Sequence, residues 1–274
     1  MLKPDERNTK VLIRDDLKRY VDLNVDFGQT RDQAFFKSTE NALLKHVSSV
    51  NVPCCVHDGD PRDVMAAMAL GKAFNCAVGA HIAYPDPAHH GYQKPEGITH
   101  EELSAWLRVQ LGAFKELARV HTVDVHHVRP HGALYRSFID DEETALAVAQ
   151  TLKEIDPWLM LVGPAGPVLN KVATDIGLRV APEIYLGKRY ADTGLPDLDR
   201  LHETLPSQAA YDQGKRLIEE STLTAASGEA VNVKFKSLHV TPAMDGVVDL
   251  AARLSQLLVQ PVPVTMLDVA ASGW

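Results

Sequence analysis

The sequence predicts an α/β fold, most simply a single β/α barrel of about seven strands, with an open doubly wound sheet as the structural alternative. Three observations point there. Short β-branched runs alternate with longer amphipathic stretches along the chain. Chemistry-bearing polar residues recur where those runs end, the place at which parallel α/β folds build their sites. No composition shift and no internal repeat divides the 274 residues. Residues 1–274 therefore read as one domain, with a charged N-terminal extension (1–19) and a lid or excursion near 190–207.

Tyr20–Asp26 (YVDLNVD) reads as the first strand, and Val47–His57 contains the second. Pro61–Phe74 repeats Val64, Ala67 and Met68 at helical spacing, with Asp60 ahead of Pro61 as a start signal. Ala77–His81 is the third strand. Thr99–Arg119 is a long helix: Thr99 and Glu102 make a capping box, and Leu103, Trp106, Leu107, Leu111, Phe114 and Leu117 form its apolar stripe. Val123–Pro130 follows as a strand and Asp141–Lys153 as a helix with an acidic start. Trp158–Val162 and Leu178–Ala181 are strands bracketing a helix around Pro167–Ile176. After Arg189 the pattern breaks into the polar run ADTGLPDLDRLHETLP. A helix near Gln208–Ala226, a strand near Ser237–Thr241 and a helix at Gly246–Val259 complete the series.

Composition narrows the function classes. The chain is 45% hydrophobic and carries a net charge of −8 without a basic block, which argues against a nucleic-acid partner. No stretch approaches the ~18 consecutive apolar residues of a membrane span, and Met1–Arg19 lacks the apolar centre of a signal peptide. A cytoplasmic location with no membrane partner is the expectation. Cys54, Cys55 and Cys76 make no C-x-x-C motif or disulfide framework and read as packing residues. The 12 histidines, in a chain only 6% aromatic, are the oddity.

Asp22, Asn24 and Asp26 recur at period two, hence on one face of the first strand. They mark either a site or an exposed edge strand with solvated carboxylates. His57 would sit at the mouth after the second strand; Asp60 beside it either caps the next helix or joins the site. His81 ends the third strand, followed by Tyr84. The fourth offers His127, Arg129 and His131 at period two, then Tyr135. Arg129 supplies a planar fork suited to a carboxylate or phosphate, and His131 an acid/base group near neutrality. Glu183 adds either another site carboxylate or a loop salt bridge to Lys188 or Arg189. Asp26, His57, His81 and His131 are thus the candidate catalytic groups, with Asn24, Asp60, Tyr84, His127, Arg129, Tyr135 and Glu183 as candidate substrate-binding residues. The set suits acid/base work on an amide. No G-x-S-x-G elbow, H-E-x-x-H motif, phosphate-binding loop or G-x-G-x-x-G fingerprint occurs.

The ordered runs VDLNVDFGQ, VNVPCCVHDGDPRDVM, AVGAHIAYPD, HVRPHGALY and GLRVAPEIY resemble the LamB/YcsF family. The likeness runs over roughly Tyr20 to Arg189, with a weaker continuation beyond. It implies a seven-stranded β/α barrel of the glycoside hydrolase/deacetylase-like shape. It also implies ATP-driven ring opening of 5-oxoproline, with ATP engaged through allophanate-hydrolase-like partner subunits. The chain departs from the family pattern at several points. Val25 stands for a Cys, Gln29 for a Glu and Arg129 for a Lys; His89–Gln93 replaces a Gly-Phe-Gly-Arg-Arg run, and Leu238–Ala243 a late C-V-H-G-D motif. His239 restores that motif's His only with a small shift, and the Gly-Asp is absent.

The expected function is therefore that of an enzyme on a lactam or cyclic amide, working by acid/base chemistry at the barrel mouth. A metal-dependent amide hydrolase stays open beside it, with Asp26, His57 and His81 or His131 holding a divalent ion. So do an ATP-independent lactam-processing or ring-closing enzyme and a non-catalytic partner subunit.

Overall fold

The computed structural model describes residues 21–29 and 33–258; the N-terminal extension, Tyr20 and the Val259 helix end lie outside the described residues. Seven parallel strands close into a barrel in chain order: β1 (Asp22–Asp26), β2 (Ser49–Pro53), β3 (Ala77–Ile82), β4 (Val125–Pro130), β5 (Met160–Pro164), β6 (Arg179–Tyr185) and a last strand, Ser237–Val240. Between β6 and that last strand, Thr222–Thr224 (β7) and Ala230–Asn232 (β8) form a separate antiparallel hairpin, which makes the closing strand β9. β9 pairs with both β6 and β1. Closure excludes the open sheet, and it also excludes the edge-strand reading of β1, since β2 and β9 flank it.

Strand alternation sorts the chemistry. Leu23, Val25, Val50, Val52, Val78 and Val128 join the large core cluster that also contains the helix residues Val64, Leu107, Phe114, Leu152 and Leu250. Inside the barrel a small apolar group, Ala77, Met160, Val162 and Ala181, is the exception. Asp22, Asn24, Asp26, Ser49, Asn51, His81, His127, Arg129, Glu183, Ser237 and His239 are all buried. So polar a lumen is costly unless its groups are paired. Gly79 makes room for it: a Cβ there would lie 2.1 Å from His127 Nε2, so the imidazole crosses the barrel only past a residue without a side chain.

Most helices match the sequence pattern; the one expected near Gln208–Ala226 is Ser207–Glu220, and its last residues form β7 instead. Asp60 caps Pro61–Ala73 by accepting from Arg62 N (2.9 Å), and Thr99 with Glu102 closes the capping box of His100–Val120. Asp141 caps Glu142–Ile155 through Thr144 N. Three differences matter. The second strand stops at Pro53, and Val56 and His57 lie in the following loop, where Cys55 (φ 60) and Gly59 (φ 89) turn the backbone. β6 runs on to Tyr185, which puts Glu183 on a strand rather than in a loop. Helices Gln33–Leu43 and Gly132–Asp140 are additions to the sequence pattern; the second starts at Gly132, whose Cβ would meet Gly91 O at 2.4 Å. The 190–207 excursion holds a Tyr190–Pro196 bridge and a short turn, Leu198–Arg200, and Arg189 pairs with Glu203 across it.

Asp22, low in the lumen, accepts hydrogen bonds from the hydroxyls of Ser48, Ser49 and Ser237. Burial nevertheless pushes its pKa from 3.8 up to about 6, with the three hydroxyls opposing. A carboxyl whose folded pKa is raised favours the folded state while protonated. Its contribution is complete below the unfolded pKa and is lost as pH rises through about 6. Asp22→Asn is thus expected to raise unfolding free energy at pH 7 by about 3 kcal/mol and to leave it nearly unchanged at about pH 3. Urea unfolding of both proteins across that range checks this; an equal difference at both pH values would contradict it.

Candidate functional site at the barrel mouth

Hydrogen-bond directions in the lumen follow from groups that have only one role. Glu183 can only accept, and its Oε2 takes a bond from Asn24 Nδ2 at 2.9 Å. Asn24 Oδ1 therefore faces the other way, accepting from Asn51 Nδ2 (2.8 Å) and His239 Nδ1 (2.7 Å). Asn51 Nδ2 also donates to Asp26 Oδ1 (3.1 Å), which leaves Asn51 Oδ1 to accept from His127 Nε2 (2.9 Å). With its proton on Nδ1, a neutral His239 turns a bare Nε2 toward Asp26 Oδ2 at 3.6 Å.

Asp26 is the centre of this upper layer. Arg129 Nη1 lies 3.3 Å and His81 Nδ1 3.4 Å from its Oδ1. Burial raises its pKa to about 6, against the pull of Arg129 and Asn51. The fork of Arg129 grips Glu183 instead, with Nε 2.9 Å from Oε2 and Nη2 2.9 Å from Oε1. Glu183 thus pairs with Arg129, not with Lys188 or Arg189. The anion clamp expected of Arg129 is spent on an internal carboxylate, and the Tyr135 ring covers its guanidinium at 4.8 Å.

Above Asp26 three imidazoles meet. His57 and His131 stack at 4.4 Å between centroids, and His81 stands edge-on to both, 5.6 Å from His57 and 4.7 Å from His131. Burial, with neighbouring imidazoles and Arg129, holds His81 and His131 well below the usual histidine range. Burial, with a smaller push from His126 and Arg129, takes His127 down to about 3. His81, His127 and His131 are therefore neutral at physiological pH. Tyr92, 60% exposed, packs on His131 at 4.9 Å and marks the side open to solvent.

The structure thus brings together Asp26, His57, His81, His131, Asn24, His127, Arg129, Tyr135 and Glu183. It leaves out two candidates. Asp60 is an exposed helix cap, and the Tyr84 hydroxyl turns outward to Ser137 Oγ on the Gly132–Asp140 helix. Three groups join that were not in the candidate set. Asn51 and His239 had a signal in the alternation of SVNVP and SLHV. Glu40 had none: helix Gln33–Leu43 delivers it to Gly28 N at 3.1 Å, and burial raises it to about 7.

A closed parallel β/α barrel with a polar lumen and a histidine-lined mouth has known relatives. The LamB/YcsF family model matches residues 21–268, and the chain belongs to that family. It is 32% identical over 247 residues to a 5-oxoprolinase A-type subunit of Pseudomonas syringae pv. tomato, covering 88% of this chain and 94% of that one. The corresponding 5-oxoprolinase A-type subunit of Staphylococcus aureus is 38% identical over 174 residues, 64% of this chain and 69% of the other. Among solved structures, a lactam utilization protein from Thermus thermophilus superposes with a TM-score of 0.80 at 30% identity, covering 89% of this chain and 99% of that one. Among the described residues no helix is long and apolar enough to cross a membrane.

Proposed function

We propose that this protein opens the ring of a lactam or cyclic amide at the barrel mouth, with 5-oxoproline as the model substrate. The observation that carries the reading is Asp26, a buried carboxyl set among Arg129, His81 and His239 beneath the three-imidazole rim. The relatives named for 5-oxoprolinase and for lactam utilization support it. Water adds to the lactam carbonyl carbon as Asp26 takes its proton. The carbon–nitrogen bond then breaks, and the leaving nitrogen receives a proton from the Asp26–imidazole set, giving an open-chain amino acid. Arg129, Asn24, Asn51, His127 and Glu183 position Asp26 rather than touch the substrate.

ATP enters through partner subunits in this reading, since the sequence has no phosphate-binding loop of the recognisable kinds. The test is a panel of lactams and cyclic amides given to the chain with and without ATP. A further arm adds co-expressed allophanate-hydrolase-like subunits. Ring-opened product from a small lactam is expected. Its absence in every arm, including that with partners and ATP, would overturn the proposal.

A further inference from the structure

We propose that His57, His81 and His131 form a binding site for one divalent transition-metal ion of the zinc type. One ligand atom from each lies within 4.8 Å of the others, the group of this kind found among the described residues. All three side chains are buried, and they come from three separate segments: the loop after β2, the β3 end and the residue after β4. Three imidazoles with a fourth position open to a small ligand make a known zinc donor set.

Second contacts orient two of the rings. His131 Nε2 lies 3.0 Å from His90 O, a carbonyl that can only accept, so its lone pair is on Nδ1. His81 Nε2 lies 3.2 Å from Arg129 Nη1, an obligate donor, so its proton is on Nδ1, facing Asp26 Oδ1. Carboxylate, imidazole and ion would then stand in line, the arrangement that fixes the ring tautomer at metal sites. On loading, the ion takes the place of the Arg129 proton on His81 Nε2. Asp26 and Glu183 together set two carboxylates against the one Arg129 cation.

Three nitrogens bound at about 2.1 Å lie roughly 3.4 Å apart, so the rings close by an ångström or so as the ion enters. Gly91 leaves room for this, since a Cβ there would stand 3.0 Å from His131 and 3.1 Å from His57. A bound ion would polarise the lactam carbonyl and lower the pKa of an attacking water.

The site is the mouth already described, and the inference rests on reading that mouth as the working site. Its test reads binding, not turnover. The full chain is stripped of metal, then titrated with Zn²⁺ by calorimetry and with Co²⁺ by visible absorption. One equivalent of Zn²⁺, a rise in melting temperature and intense Co²⁺ bands of a four-coordinate nitrogen site are expected. His57→Ala and His131→Ala should each weaken Zn²⁺ binding at least a hundredfold. Asp26→Asn should weaken it ten- to a hundredfold, and His89→Ala should change nothing. No saturable Zn²⁺ binding by the unaltered chain, weak water-type Co²⁺ bands, or an equivalent lost with His89→Ala would each overturn the site. Since these readouts use no lactam, a failed titration overturns the metal alone. A loaded protein inert on every lactam, with partners and ATP present, overturns the ring-opening reading alone.

Discussion

Arg129→Met is expected to destabilise the protein by about 3–5 kcal/mol, the cost of removing one partner from a buried ion pair. The Arg129 side chain is 3% exposed and that of Glu183 is fully buried, so neither finds water when its partner is lost. Met leaves the Glu183 carboxylate without its cation, still held by the Asn24 amide, and removes the cation nearest Asp26. The loss comes from stranded charge rather than lost packing, because Met fills much of the same volume. Replacing both partners, Arg129→Met with Glu183→Leu, is therefore expected to recover most of the stability. Urea unfolding of the two single variants and the double variant measures this. A single variant within about 1 kcal/mol of the parent would show that the pair does not hold the lumen together.

Asp26→Asn is expected to lower lactam turnover by about 10²–10⁴-fold, the usual contribution of a positioned acid/base group. The fold should survive the change. Asn keeps an oxygen to accept from Asn51 and offers an amide proton to the bare His239 Nε2. Turnover and unfolding measured on the same preparation separate chemistry from stability. A variant that keeps more than a tenth of the parent activity would remove Asp26 from the proton transfer.

Much of this arrangement is legible in the chain. Period-two placement of Asp22, Asn24 and Asp26, and of His127, Arg129 and His131, says that these side chains share a face; a closed barrel makes that face an interior. Capping signals at Asp60, Thr99 and Asp141 act over three residues and are readable locally. What stays hidden depends on contacts far apart in sequence. The Arg129–Glu183 pair spans 54 residues, and nothing near Arg129 says that its fork is already occupied. Glu40 is a helix carboxylate like many on the surface, so only the fold gives it meaning. His239 is obscured in the sequence because its surroundings lack the family's Gly-Asp, although its register opposite Asn24 on β1 brings it to Asp26 all the same.

The central claim is that the lactam is processed between Asp26 and the three imidazoles. A crystal structure of the Asp26→Asn protein soaked with 5-oxoproline, or with the best lactam from the panel, tests it most directly. The account predicts the ring in the mouth, its carbonyl or amide within about 3.2 Å of the side chain at position 26 or of His57, His81 or His131. A lactam bound elsewhere on the barrel, with the mouth closed over the stacked His57 and His131, would contradict it.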